Sequence, residues 1–424
     1  MKKINLIMLV ALSGLFTAIY AQVEQQKTLT YSDFIDLVRN NNIEYAAEKF
    51  DVAMAEAEIL SARAFEDPEL SVGYFDNGER KKQMGYGYES ELEWTLELGG
   101  KRKARINLAK SEYALSQSIL LNYFKNLRAD ATLAYFEALQ NKKVLEVKIN
   151  SYESMNELAK SDSIRFKLGD ISEVDAKQSK VEAITLKNDV FVAEAAYKNA
   201  LINLNLLMGN FQAQAYQHII ENFPVIDKSF SLEYLIYQAQ ENRSDLVAAL
   251  QSKEVSKRNV ALAKANRAID LGLKVNVEYN SIVRNEEAES PRFTKVGGGI
   301  AIPLKFSNRR NNDWKIAKMD YEKTERLYDL ALLEVSTQVQ QAYNTFIAHQ
   351  EQVKAFNTGL LEKAKAVLDG KTYSYKRGDT SLLEVLDAQR THNEVQEEYY
   401  EALYNYLAAL VELERATGTW DIVF

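Results

Sequence analysis

Few side chains of the chain are of reactive types, and their spacing points away from catalysis. The chain has no cysteine, and its three histidines, His218, His349 and His392, are scattered. Disulfide frameworks, thiol catalysis and Cys/His zinc sites are thereby excluded. No nucleophile, base and acid share a spacing that a reaction needs, and Gly297-Gly298-Gly299 follows no phosphate-loop pattern. The sequence therefore predicts no enzyme, no cofactor and no metal site. Charge is what remains. Glu384 and Asp387 lie three apart in a stretch free of Gly and Pro, so on a helix they share a face. By themselves two such carboxylates read as a solvated helix surface. The formal net charge of −8 argues against a nucleic-acid partner.

The elements that must carry these residues are very long helices. Of 424 residues only 4 are proline and 17 glycine, against average usage of roughly 5% and 7%. Stretches 101–168, 170–208, 304–358 and 379–417 contain neither, and helix interiors exclude both most strongly. As one helix, 101–168 would run ~100 Å at ~1.5 Å per residue, too long for a compact domain. Its apolar positions, among them Ile119, Leu127, Leu133, Phe136, Leu139, Val144 and Val147, recur in a coiled-coil-like manner without clean heptads.

The first residues predict export. Lys2 and Lys3 precede an uncharged stretch, Ile4 to Val23, and Ile19-Tyr20-Ala21 before Gln22 is an acceptable cleavage site. A signal peptide over 1–21 is expected. An uncleaved anchor is the alternative, and Asn5, Ser13 and Thr17 weigh against it. No later segment reads as a transmembrane helix.

The chain is written twice. Tyr375-Lys376-Arg377-Gly378-Asp379 mirrors Phe166-Lys167-Leu168-Gly169-Asp170 at an offset of 209, and the helical stretches that follow end at Gly209 and Gly418. The opening helices, Ser32–Ala64 and Glu233–Ala265, align at an offset of 201. Such a period is too long for a solenoid and reads as duplication of one large unit. The expected organisation is a first repeat over 22–208, a linker over 209–230, a second repeat over 231–418 and a tail over 419–424. Within each repeat the order is helix, two strands, long helix, turn, long helix.

The strands show period-2 alternation. Leu271, Leu273, Val275, Val277 and Tyr279 face one way, with Gly272, Lys274, Asn276 and Glu278 opposite; Leu70, Val72 and Tyr74 alternate likewise, and Leu92, Trp94 and Leu96 stand against Glu91, Glu93 and Glu97. A sheet packed on a core is the common outcome of such a pattern. Strands of about 9–11 residues in an exported chain also suit a membrane wall. Four strands cannot close a barrel alone, so that second reading implies a barrel shared among identical chains.

Together these features resemble the TolC family of outer-membrane efflux proteins, over nearly the whole length from Gln22 to Phe424. The pieces most specific to the likeness are the duplication, the run Gly378-Asp379-Thr380-Ser381-Leu382-Leu383-Glu384-Val385-Leu386-Asp387-Ala388-Gln389 and its weaker copy Gly169–Lys180. The resemblance implies a mainly α fold with a small β part. Duplicated long-helix hairpins would form a trimeric α-barrel tunnel topped by a 12-stranded transmembrane β-barrel, four strands per chain. It implies a homotrimer in outer-membrane lipid, a passive duct serving a periplasmic adaptor (membrane fusion protein) and an inner-membrane pump. Leu96-Glu97-Leu98-Gly99-Gly100-Lys101-Arg102-Lys103-Ala104-Arg105 is similar to the strand-to-helix corner of the cobalt-zinc-cadmium branch, which works with resistance-nodulation-division pumps. That likeness implies metal cations as cargo and puts Gly99, Gly100, Lys101 and Arg102 at the membrane boundary.

Site residues follow from the same resemblance. Glu384 and Asp387 fall where members line the closed entrance with acids, so three chains would stack two carboxylate rings, with like-charge repulsion raising some of their pKa values. Asp175 keeps the acid in the first repeat, while Gln178 stands for Asp387. Tyr375 sits where a tyrosine helps hold neighbouring helices shut. The position two after Gly378, often basic in the family, is Thr380, leaving Lys376 or Arg377 to take that part. Gly169 and Gly378 suit a left-handed tip turn; with Asp170 and Asp379 they would meet the adaptor. Two other readings stand beside metal efflux: the same duct serving drugs or type I protein secretion, and a soluble periplasmic coiled-coil scaffold.

Overall fold

A computed structural model of the chain describes residues 28–78, 80–210, 218–219, 222–224, 228–304 and 306–420. The expected signal peptide, much of the linker and all but the start of the C-terminal tail lie outside the described residues. In chain order the elements are β1 (Thr28–Leu29), α1 (Tyr31–Asn41), α2 (Ile43–Arg63), β2 (Glu69–Asp76), β3 (Tyr86–Leu96), α3 (Lys101–Leu168) and α4 (Glu173–Leu207). There follow β4 (His218–Ile219), α5 (Leu232–Asn242), α6 (Ser244–Ala265), β5 (Leu271–Asn280), β6 (Phe293–Ala301), α7 (Arg309–Phe356), α8 (Leu360–Arg377) and α9 (Leu382–Thr417). Helix α3, with 68 residues and no Gly or Pro, is continuous. No described helix is long and apolar enough to cross a membrane.

Two features differ from the sequence pattern. The opening helices expected at 32–64 and 233–265 are each two helices, because Asn42 and Arg243 adopt extended backbone (ψ 123° and 121°) and restart the helix. Asn42 accepts from the Tyr45 amide at 2.8 Å and donates to the Leu207 carbonyl at 2.9 Å. Both breaks receive the glycine that ends a return helix. A Cβ on Gly209 would lie 2.2 Å from the Asn41 carbonyl oxygen, and one on Gly418 would lie 2.9 Å from the Asn242 carbonyl oxygen. The long helical stretch after β6 is also divided, at Gly359 (φ +90°), into α7 and α8. Its Gly- and Pro-free stretch ends one residue before that break.

The chain packs as two compact bodies. One comprises the segments up to Ala46, Tyr123–Arg243 and Val335–Phe424. Its core gathers Tyr31, Phe34, Tyr135 and Phe136, with ring centroids 5.5–6.5 Å apart, and the Tyr31 and Thr132 hydroxyls share a hydrogen bond at 2.9 Å. The parallel pair β1–β4 lies in this body.

The other body, Ala47–Asn122 and Ser244–Glu334, holds a four-stranded antiparallel sheet ordered β2-β3-β5-β6. Leu70 opposes Leu92, Leu92 opposes Val275, and Val275 opposes Gly298. That apolar face is uncovered: Val72 and Val296 are 74% and 72% exposed, and Leu70, Val275 and Ile300 are exposed too. A sheet packed on a core is thus not what forms. On the other face Lys274 bridges Glu91 and Glu93 at 2.9 and 2.8 Å, and Lys295 meets Glu278 at 3.3 Å.

Candidate functional site

The first body brings four helix ends together. Each hairpin turns through a glycine in left-handed conformation, Gly169 at φ +86° and Gly378 at φ +83°. The two turns share one hydrogen-bond pattern. Gly169 donates to Phe166 and Asp170 to Arg165; Gly378 donates to Tyr375 and Asp379 to Ser374. This double bond satisfies the last carbonyls of the helix, and only a residue free of a Cβ enters the left-handed region without cost. Ser172 then caps α4, accepting from the Asp175 amide at 3.1 Å and donating to its carboxylate at 2.7 Å. Asp175 is therefore part of a helix cap. Among the described contacts, Ser381 makes no such side-chain bond at the start of α9.

Met155, Leu158 and Ala159 of α3, Ala183 and Leu186 of α4, Tyr375 of α8, and Leu382 and Val385 of α9 form one apolar cluster. Tyr375 joins all four helices through it. The Arg165 guanidinium lies 5.1 Å from the centre of the Tyr375 ring, and 3.8 Å from Asp162, whose side chain is 0% exposed. Neither Asp162 oxygen, nor the Tyr375 hydroxyl, makes a hydrogen bond of ordinary geometry. Burial raises the Asp162 carboxyl above its ordinary value, against the opposing pull of Ser179, Tyr375 and Arg165. Burial, and then the neighbouring Asp162 carboxylate, push the Tyr375 phenol up to about 12.

Glu384 and Asp387 are exposed on α9 and each has a cation within the chain. Lys371 of α8 reaches the Glu384 carboxylate at 2.5 Å, and Arg390 reaches Asp387 at 2.7 Å. Lys371 first, then Thr380, hold the Glu384 carboxyl below its usual range. In the single chain this is the reverse of the direction that crowding in a ring would impose. Arg377 pairs with Asp379 at 3.4 Å and lies over Tyr373, so the cation beside Tyr375 is Arg165 on the first hairpin.

Sequence reasoning did not find Asp162 or Lys371, and it placed Arg165 only at the tip, as part of the expected adaptor contact, not beside Tyr375. The sign of Asp162 was available: it extends the stripe Met155, Leu158, Ala159 at helical spacing, and an acid on an apolar stripe is a buried acid.

In the second body, Gly99 and Gly100, both at φ +74°, turn the chain from β3 into α3. A Cβ on Gly99 would fall 2.1 Å from that of Ala268. Lys101 is buried and ion-paired with Asp270. Arg102 donates to the Arg63 carbonyl at 2.8 Å and stacks on Phe65 at 4.1 Å, while Arg105 grips Glu97 with two bonds of 2.6 and 3.1 Å. The basic cluster is a clasp that fixes the start of α3 against the end of α2 and the residue before β5.

The family model for outer membrane efflux proteins matches residues 34–210 and 235–419. The chain is similar to the cobalt-zinc-cadmium resistance protein CzcC of Cupriavidus metallidurans, 25% identical over 93% of this chain and 89% of that protein. It is also similar to the outer membrane protein TolC of Vibrio cholerae, 24% identical over 82% of this chain and 81% of the relative. Among solved structures, the outer membrane channel CmeC of Campylobacter jejuni superposes with a TM-score of 0.76 at 16% identity, over 91% of this chain and 85% of that one. CusC superposes with a TM-score of 0.72 at 16% identity, over 92% of both chains. These likenesses give the fold: the helical tunnel architecture of outer-membrane channels.

Proposed function

The chain belongs to the outer membrane efflux protein family, and from that premise we propose that it is the trimeric exit duct of a tripartite pump for metal cations. The observation that carries the reading is the sheet. Among the described residues its apolar face has no cover and its edge strands β2 and β6 have no partner, while its opposite face bears Glu91, Glu93, Lys274, Glu278 and Lys295. Exposed strand edges demand pairing, and backbone groups in hydrocarbon must all be bonded, which a closed barrel achieves. Three copies would supply twelve strands, with the apolar face toward lipid and the charged face toward water.

The tip is then the periplasmic entrance. In a trimer Glu384 and Asp387 would form two carboxylate levels, which attract cations to the mouth and repel one another as the ring narrows. The Tyr375–Asp162–Arg165 group would hold the second hairpin against the first and so keep the entrance closed. The exposed turns Gly169–Asp170 and Gly378–Asp379 are the proposed adaptor contact, and the inner-membrane partner is a resistance-nodulation-division pump. Conduction down a gradient set by the pump needs no catalytic group in the duct. Metal cargo is supported by the likeness to CzcC across nearly the full length of both chains.

Deleting the gene and restoring it in trans tests the cargo. The reading expects increased sensitivity to zinc, cobalt or cadmium in the deletion, reversed by the wild-type gene. Unchanged metal tolerance with lost tolerance to drugs would assign the duct to drug efflux.

A further inference from the structure

We propose that Arg284 and Arg292, with the hydroxyls of Tyr86 and Tyr279, form a binding site for the phosphorylated headgroup of an outer-leaflet lipid. The proposal rests on the reading of the sheet as a membrane wall. The connections from β2 to β3 and from β5 to β6 (281–292) lie at the end of the sheet opposite to where its strands join helices. Between them lies an open cavity of about 740 Å³ lined by Tyr86, Tyr279, Ser281, Arg284 and Arg292 among others.

The loops that frame it are tied to one another. Tyr86 donates its amide to the Ser281 hydroxyl at 2.8 Å, and Ser281 returns its own amide to the Tyr86 carbonyl at 2.8 Å. Arg284 donates its amide to Gln83 at 3.2 Å, Asn285 donates its side chain to Lys82 at 2.8 Å, and Val283 pairs with Ser290. The framework is thus built before any ligand arrives. Within it, neither arginine has an ion-pair partner among the described residues. The glutamates of the same loop, Glu286, Glu287 and Glu289, do not line the cavity.

Level decides the occupant. Tyr279 lies on the uncovered apolar face and opposes Tyr88 in register. Tyr74, Tyr86 and Tyr88 cluster beside it with ring centroids 5.4–6.1 Å apart. Tyrosines on a lipid-facing surface mark the headgroup level, where the ring meets hydrocarbon and the hydroxyl meets water. The loop guanidiniums stand just beyond that belt. A guanidinium's planar fork matches phosphate oxygens, and two forks in one cavity suit a phosphate carried on a lipid.

The test uses the full-length protein in nanodiscs containing either bisphosphorylated lipid A or the same lipid stripped of phosphate, followed by native mass spectrometry. Wild type should retain the phosphorylated lipid and not the stripped one. Arg284→Gln and Arg292→Gln should each lower retention about tenfold, while Lys81→Gln, outside the cavity, should leave it unchanged. Equal retention of the two lipids, or insensitivity to both arginine substitutions, overturns the proposal. Full competition by millimolar inorganic phosphate overturns a lipid occupant in favour of a free-phosphate site. Failure of wild type to enter the nanodisc would overturn the wall reading itself.

Discussion

Lys371 on α8 and Glu384 on α9 are joined, Nζ to Oε2, at 2.5 Å across the tip turn. The contact ties the acid proposed to face the entrance to the helix that carries Tyr375. It also sets how that acid titrates. Lys371 lowers the folded-state pKa of Glu384, so its stabilising contribution is present above the ordinary carboxylate range and is lost as pH falls through the lowered value. Replacing Lys371 by Met should move that loss to higher pH. Block of single-channel current by a multivalent cation, titrated between pH 3 and 6, reads it: relief of block should begin at higher pH in the variant. An unmoved midpoint would show that Lys371 does not govern Glu384.

Asp162 has the opposite sign. Burial raises its pKa in the packed tip, so the closed arrangement is favoured at low pH and that advantage is lost as pH rises through the raised value. Arg165, Ser179, Tyr375 and Asp175 are the groups that face it. Open probability in planar bilayers should rise with pH from about 4 upward, from the ordinary carboxylate value. Asp162→Asn, which keeps shape and removes the charge, should flatten the profile. A profile equally steep in the variant would assign the dependence to another group.

The corner clasp should be a stability feature. Lys101→Met leaves the Asp270 carboxylate without its buried cation. Removing one partner of a buried pair costs about 3–5 kcal/mol, and the partial exposure of Asp270 puts the expectation at about 2–4 kcal/mol. Denaturant midpoints should fall accordingly, and Lys101→Met with Asp270→Leu should recover most of the loss. If the double variant is as unstable as the single, the pair does not act as a unit.

Gly378 and Gly99 separate backbone strain from crowding. A Cβ at Gly378 meets nothing within 4 Å, so Gly378→Ala should cost only the left-handed backbone, about 1–2 kcal/mol. Gly378→Asn should cost less, because Asn tolerates that region. Gly99→Ala adds a 2.1 Å clash with Ala268 to the same strain, and should be the more destabilising by thermal melting. Equal melting temperatures would contradict the close approach at the corner.

What the sequence made legible follows from periodicity. The Gly- and Pro-free stretch 101–168 became α3 residue for residue, because nothing in it competes with helix over its whole length. The alternation from Leu271 to Tyr279 became β5, and the two tip glycines marked the turns. The break at Asn42 had a local sign, because an Asn side chain can cap the amide three residues on, as it does at Tyr45; the break at Arg243 had none, and Gly418, which packs against it, lies over 170 residues away. The charges beside the tip were hidden for the same reason. Lys371 and Arg165 are ordinary helix cations until the hairpins are folded, and only Asp162, standing on an apolar stripe, announced itself locally.

Planar-bilayer conductance of the purified full-length protein decides whether the chain forms a duct. Discrete conductance steps from a trimer, cation preference, and block by multivalent cations applied on the tip side are expected. Glu384→Ala with Asp387→Ala should weaken that block at least tenfold, because two stacked carboxylate levels are removed together. Absence of conductance from correctly folded protein would contradict the duct, and unchanged block in the double variant would contradict the gate.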